Sequence, residues 1–311
     1  MRLRYRTSRR IVPGITASHM TSTDLCYHGE AVTGKSMFKL AAIDIDGTLL
    51  DQAGRIPSEN RDAIQRTKEK GVKVILVTGR RTGTALWVAK ELGLDDPLIV
   101  HNGAIVCFPG GPSIWKQYLS PELGARIIQA ASQNLDGIVL HLDDPPMGLM
   151  IVHEFSDSNS VLKRYLRMNP QAVLKVPQLH SWLKNNLIQI MYAGDLNLLA
   201  RLENGLRTAG IAAETHLTKT CYPERNFGIM DVLNCRAAKH HALKFLAEYF
   251  RIPREEILAI GDNHNDLEML EYAGTGIVME NGIPALKSGR FTLTGSNNEA
   301  GVAKALAEYI L

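Results

Sequence analysis

No run in this chain approaches the roughly 18 consecutive apolar residues that a membrane-spanning helix needs, so it is read as a soluble protein without a membrane partner. Cysteine is scarce. Cys26, Cys107, Cys221 and Cys235 lie far apart and form no C-x-x-C pair. That argues against a disulfide frame or a thiolate zinc site and fits reduced thiols in the cytoplasm. The ten histidines include no H-E-x-x-H and no pair at metal-ligand spacing beside an acid. What the chain does have is the composition of a soluble globular protein, with 45% apolar and 22% charged residues. Its 311 residues suffice for one large domain or two ordinary ones.

The formal charge of +3 is concentrated at one end. Residues 1–36 hold six Lys and Arg against Asp24 and Glu30, a net of +4, which leaves −1 for the rest. Nothing beyond residue 36 suggests a nucleic-acid surface. This leading segment has no hydrophobic period and lacks the 7–15-residue apolar core of a secretory signal. Its Arg-rich start faintly resembles an organelle transit peptide; a true start at Met37, or leftover cloning sequence, fits as well. A disordered extension is expected over 1–36. It contains one motif, Gly29 to Gly34-Lys35-Ser36, that matches the P-loop pattern G-x-x-x-x-G-K-[ST]. A phosphate-binding loop of that kind needs a strand before it and a helix after it, because backbone N–H groups and the helix N-terminus hold the phosphates. Here a polar stretch precedes the loop and a strand follows.

From Phe38 the pattern becomes regular. FKLAAIDI, VKVILVTG and PLIVHNGA read as buried strands. Between them lie a helix capped by Ser58 and closed by Gly71, and a second over residues 82–92 stopped by Gly93. The alternation resumes with a helix (KHHALKFLAEYF), a strand (EILAIGD), a helix (NDLEMLEYA), a strand (TGIVM) and a closing helix (EAGVAKALAEYI). Such alternation predicts an α/β fold, a Rossmann-like doubly wound parallel sheet covered on both faces. The stretch 119–227 interrupts it without ending it. It carries the strand-like pieces GIVLHL, LMIVHEF and LIQIMYAG and helix-like Pro121–Asn134 and Leu196–Ala209, with no repeat or low-complexity tract. It is expected to be an α+β domain inserted in the sheet domain, leaving 37–118 plus 228–311 as a discontinuous sheet domain.

In open α/β sheets, ligands bind beyond the carboxyl ends of the strands. Asp44, Thr78, Asn102 and Asp262 all fall at those ends. In Asp44-Ile45-Asp46-Gly47-Thr48, two carboxylates two residues apart would repel unless a cation or a proton intervened. A hard cation with oxygen ligands is the natural solution, and Mg2+ is the commonest choice beside phosphates. Gly47 permits a sharp turn and close backbone approach. By itself the string is equally a surface turn. Thr78-Gly79-Arg80 offers a hydroxyl and free N–H groups to phosphate oxygens, or simply caps a helix. Lys239 is a counter-charge for a phosphoryl oxygen, or a solvated lysine. Gly261-Asp262-Asn263-His264-Asn265-Asp266 follows an apolar strand. Asp262 would complete an oxygen cage, and Asp266, one helical turn on, would reach the same ion or its water.

Together these strings resemble the signature of the haloacid dehalogenase-like phosphatase superfamily: D-x-D-G-T-L, T-G-R, a lysine after the insertion, then G-D-x-x-N-D. The position of the insertion and Asn102-Gly103-Ala104 are similar to the Cof-type branch with its large α+β cap. The resemblance covers roughly residues 38–311 and is architectural only across the cap. It implies that Asp44 attacks phosphorus and that Asp46 protonates the leaving oxygen, then activates the water that cleaves an aspartyl-phosphate. It implies Mg2+ held by Asp44, the Asp46 backbone carbonyl and Asp262, with Asp266 as ligand or neighbour. Thr78, Gly79 and Lys239 would bind the phosphoryl group, with Gly47, Arg80, Asn102 and Asn265 around it. Two departures stand out: His240-His241 follow Lys239 where the family has glycine, and Gly282 replaces the alanine of an M-x-N-A loop.

The expected function is therefore a phosphomonoesterase acting on a small phosphorylated metabolite, a sugar phosphate or a nucleotide-like cofactor, as a monomer or homodimer. The alternatives are a phosphomutase using the same nucleophile, a P-loop nucleotide binder using Gly29–Ser36, and a non-catalytic binding module. Outside the site, His240 and His241 read as surface residues on different sides of a helix, and His141-Leu-Asp143-Asp144 as a solvated turn. Trp115, Trp182 and Tyr192 read as cap core.

Overall fold

The computed structural model describes residues 38–130, 137–144, 148–154, 160–167, 170–222 and 225–311. The leading segment with its P-loop string, and the end of the helix expected to reach Asn134, lie outside them. No helix among the described residues is long and apolar enough to cross a membrane. Two sheets, both within the unit Ser36–Leu311, organise the chain.

The first sheet begins with β1 (Leu40–Asp44), α1 (Ser58–Glu69), β2 (Lys73–Val77), α2 (Thr82–Glu91) and β3 (Leu98–Val100). It continues with β4 (Ile105–Cys107) and β5 (Ser113–Lys116). The chain then leaves it through α3 (Pro121–Ala130), β6 (Ile138–Leu142), β7 (Leu149–His153), α4 (Ser160–Arg167) and β8 (Val173–Val176). β9 (Leu187–Gly194), α5 (Leu196–Thr208), β10 (Thr215–Tyr222) and β11 (Phe227–Asn234) complete the excursion. It returns with α6 (Lys239–Phe250), β12 (Ile257–Gly261), α7 (Leu267–Tyr272), β13 (Thr275–Met279), β14 (Thr292–Thr294) and α8 (Gly301–Tyr309).

The core sheet has the order β14-β13-β12-β1-β2-β3-β4-β5. It is parallel from β14 to β3, as the alternation predicts, and antiparallel beyond. The expected single strand PLIVHNGA therefore ends at Val100. The chain reverses through a 3-10 turn at His101–Gly103, with positive φ at all three residues, and β4 runs back. Buried side chains alternate along each strand. Ala41, Ile43, Leu258 and Ile260 pack with Ala63 and Ile64 of α1, Val88 of α2 and Leu306 of α8. Leu40, Ala42, Ile257 and Ala259 pack with Leu243 of α6 and Met269 of α7. Both faces are covered, so the strands are apolar throughout and only their ends carry polar groups. Ser58 is the first residue of α1 rather than its cap; Pro57 takes the cap position, and the Ser58 hydroxyl donates to Glu59. Trp115 belongs to β5 rather than to the cap, packing on Phe245 of α6 and donating to the Gly103 carbonyl at 3.1 Å.

The cap sheet has the order β10-β11-β9-β6-β7-β8. Its pairs are antiparallel except β7–β8. Period-two alternation divides its residues into two faces. Ile138, Leu140, Ile190, Tyr192, Met230 and Val232 bury against α3 and α5, with Trp182 at the edge. Val139, Met191 and Ala193 face the other way with Leu162 of α4. That second face also carries His141, Gln189 and Asp231, a polar group between apolar neighbours.

Candidate active site

β1 ends in Asp44, and the chain turns at once. Leu49 N–H donates back to Asp44 O and Ile45 O, and Gly47 adopts φ +81°. A side chain at Gly47 would be strained at that φ, and its Cβ would collide with the Asp262 carboxylate. The glycine thus lets the Asp44–Thr48 loop approach the end of β12. Thr48 fixes the approach by donating its hydroxyl to Asp262 Oδ1 at 2.9 Å, and Asn281 by donating to Gly47 O at 2.8 Å.

Lys239, the first residue of α6, is buried with its ammonium 2.6 Å from Asp44 Oδ1 and 2.7 Å from Asp266 Oδ1. The histidines after it do not displace it. Their rings lie side by side and tilted at 46°, centroids 3.9 Å apart, instead of pointing to opposite sides of the helix, and His240 reaches Glu268 at 2.9 Å. α6 comes this close because Gly103, at φ +97°, lies against the Ala238 carbonyl. Gly103→Ala is expected to cost roughly 2–4 kcal/mol, from a disfavoured φ and a clash with backbone. Urea unfolding measures that loss, and Lys239 should be pushed from Asp44 with it.

Asp266 uses both oxygens. Oδ1 meets Lys239, and Oδ2 accepts from the N–H groups of Asp262 and Asn263 at 3.1 and 3.0 Å. Asp44, Asp262 and Asp266 offer carboxylate oxygens that all lie within 4.8 Å of one another. Three buried carboxylates thus share one ammonium. Burial first, then the charge of Asp266, raises the Asp44 carboxyl well above its ordinary range, against the pull of Lys239. The same two causes push Asp262 up to about 7. Burial alone would lower Lys239, but Asp266 and Asp44 overcome it and raise the ammonium's pKa. The cluster lacks positive charge, and all its donors are oxygens, so it can hold a hard metal ion.

The other strand ends complete the wall. Thr78 is buried, and its hydroxyl accepts from Arg80 N–H at 3.0 Å. The His101–Gly103 turn is laced to this loop through Asn102 N–H to Thr78 O and His101 N–H to Arg80 O. An added Cβ at Gly79 would press on Asn102. Arg80, expected near the phosphate, instead holds Asp46 in a two-pronged pair, Nε to Oδ2 at 2.7 Å and Nη2 to Oδ1 at 2.6 Å. The Asp46 carboxylate is exposed and stands outside the acidic cluster. Asn265 donates to Asn102 Oδ1 at 3.1 Å, and Asn102 donates to Asp231 Oδ2 at 3.2 Å.

That last bond crosses from core to cap. Gln189 donates to Asp231 Oδ1 at 2.8 Å, and its own carbonyl lies 3.3 Å from His101 Nδ1. Burial pushes Asp231 up to about 7 despite the Asn102 bond. A cavity of about 510 Å3 lies between the two layers, with Asp44, Asp46, Thr78 and Asp262 at one end and Tyr165, Met191, Thr220 and Asp231 toward the other. Its size suits a small metabolite. Gln189, Asp231 and Arg81 are among the wall residues that sequence reasoning missed. The signal for the first two was a polar residue at an alternating position of an apolar strand. His141, expected in a solvated turn, is buried on β6 beside His101.

With this geometry established, the chain belongs to the haloacid dehalogenase-like hydrolases, whose pattern matches residues 41–306. It is similar to the 5-amino-6-(5-phospho-D-ribitylamino)uracil phosphatase YwtE of Bacillus subtilis (strain 168), with 30% identity over 283 residues, 85% of this chain and 96% of that one. It is also similar to the HMP-PP phosphatase of Klebsiella pneumoniae (strain 342), with 30% identity over 260 residues, 81% and 88% of the two chains. Among solved structures, a haloacid dehalogenase-like hydrolase from B. subtilis aligns with a TM-score of 0.72 at 25% identity, covering 88% of this chain and all of that one.

Proposed function

We propose that the chain is a Mg2+-dependent phosphatase that removes a phosphoryl group from a small metabolite through an aspartyl-phosphate on Asp44. The observation that carries this reading is the Asp44–Lys239–Asp266 chain at the strand ends, with Asp262 alongside, opening onto a cavity of metabolite size. Relatives named as phosphatases of phosphorylated small molecules support the class of reaction.

Asp44 and Asp262 would hold the ion, with the Asp46 carbonyl, while Asp266 keeps Lys239 and the Asp262 turn in place. Bound there, Mg2+ would supply the positive charge the acid cluster lacks and offset charge on the phosphoryl oxygens. Asp44 attacks phosphorus with the oxygen not engaged by Lys239, and the P–O bond to the leaving group breaks. Lys239 and the N–H groups around Thr78 and Gly79 balance charge on the phosphoryl oxygens. Once released from Arg80, Asp46 takes up a proton from solvent and passes it to the leaving oxygen, then takes one from the water that cleaves the acyl phosphate. Arg80 holds Asp46 at the cavity mouth until the phosphoryl group competes for the guanidinium. The cap excludes bulk water and selects the leaving group.

The test is phosphate release from a panel of sugar phosphates and nucleotide-like phosphates by the full chain, with Mg2+ and with chelator. Release that depends on Mg2+ is expected; equal release in chelator would contradict the reading. Isomerised product with no free phosphate would favour a mutase.

A further inference from the structure

Arg80 and Arg81 are adjacent, yet their surroundings differ. Arg80 is fully paired. Arg81 is only 4% exposed, and neither Nη1 nor Nη2 has a hydrogen-bond partner among the described residues. Its backbone is fixed at the cap position of α2, where its carbonyl accepts from Thr84 and Ala85 N–H. The partial positive charge of the helix N-terminus therefore adds to that of the guanidinium. Arg81 and Asp44 line the same cavity.

The groups around Arg81 are no counter-charge. Burial holds the Tyr165 hydroxyl up at about 12, so it is neutral at ordinary pH. Burial, with the charge of Arg81 behind it, holds the His141 imidazole well below its usual range. His101 is held down at about 4 by burial, with Arg81 adding to it. His141 also lacks a partner for either ring nitrogen. The carboxylate across the cavity, Asp231, is committed to Asn102 and Gln189. A buried arginine stays charged, and a buried charge without a partner is costly enough that proteins seldom keep one. A buried guanidinium without a partner thus lines a cavity large enough for a small ligand.

We propose that Arg81 is a specificity residue that binds a second anionic group, a carboxylate or a further phosphoryl, carried by the leaving group of a substrate whose reacting phosphate sits at Asp44. The inference rests on the phosphatase reading for the position of that reacting phosphate. A planar guanidinium takes either anion by two parallel N–H bonds. A leaving group with hydroxyls alone leaves the Arg81 charge uncompensated when the cap closes. The preferred substrates are then sugar acid phosphates or bisphosphates rather than neutral sugar phosphates.

The experiment is calorimetric binding, with Mg2+, to the full chain carrying Asp44→Asn, which cannot turn the ligand over. The ligands are 6-phosphogluconate, fructose 1,6-bisphosphate and glucose 6-phosphate. At least one of the first two is expected to bind about tenfold or more tightly than the third. Adding Arg81→Gln should erase that ratio, and Arg81→Lys should restore part of it. Equal binding of all three, or equal weakening of all three by Arg81→Gln, overturns the proposal. The ligand preference is read without any change at Arg81, so a poorly folded Arg81→Gln does not shield the idea. The two readings fail separately. A binding preference without phosphate release from the wild-type chain counts against the phosphatase, and release without the preference counts against Arg81.

Discussion

Asp44→Asn is expected to abolish phosphate release, a fall on the order of 10^4-fold or more, because the amide cannot form the covalent intermediate. The same change should stabilise the metal-free protein at pH 8. In the wild type, three buried carboxylates face one ammonium, and the Asp44 carboxyl is raised by burial and by Asp266. A carboxyl whose pKa is raised in the folded state favours folding in its protonated form. Stability from that form is complete below the ordinary carboxylate range and is lost as pH rises through the folded value. The asparagine is neutral throughout and escapes the loss. In chelator the variant should therefore melt above the wild type at pH 8, with the gap closing towards pH 4. In Mg2+ the order should narrow or reverse, since the wild type gains a bound cation. A variant that melts below the wild type in chelator at pH 8 would contradict the charge balance described here.

Lys239→Met has the opposite sign. Lys239 is the sole cation in contact with Asp44 and Asp266 among the described residues, at 2.6 and 2.7 Å. Removing it leaves buried like charges, and breaking a buried pair of this kind costs about 3–5 kcal/mol. At about 2–4 °C per kcal/mol for a chain of this size, Tm should drop by roughly 10 °C. Phosphate release should fall at least about 100-fold, because the charge facing the phosphoryl oxygens is gone. Saturating Mg2+ should recover part of the stability and little of the activity. Lys239→Arg should not rescue either, since a planar guanidinium does not fit a pocket shaped for a compact ammonium. Thermal melts with and without Mg2+, beside steady-state rates, separate the two effects.

The strand ends were legible because apolar runs that stop at an acid leave one place for it, the sheet's carboxyl edge. Asp44 and Asp262 are therefore brought together across 218 residues by a β1–β12 pairing that the alternation implies. The reversal at His101–Gly103 was missed although its Asn102-Gly103 dipeptide is a turn signal, because the apolar residues on both sides read as one run. Asp266 was expected beside the ion because it lies one helical turn beyond Asp262. Its actual partners, Lys239 and two backbone N–H groups, depend on how α6 docks, which no local pattern encodes. Arg80's pairing with Asp46 and the isolation of Arg81 depend on side-chain direction within one turn. The polar cap face was written in the alternation of His141, Gln189 and Asp231. Which face of the cap meets the core is set by long-range packing, so the sequence pattern by itself did not reveal their role.

If the chain works as proposed, Asp44 carries the phosphoryl group during turnover. The most direct measurement is an acid quench of the full chain turning over a 32P-labelled substrate, followed by borohydride reduction, which converts an acyl phosphate at aspartate to homoserine, and peptide mass analysis. Label on the protein is expected before reduction, and homoserine at position 44 after it. Continued turnover with no labelled protein, or with label at any other residue, would contradict it.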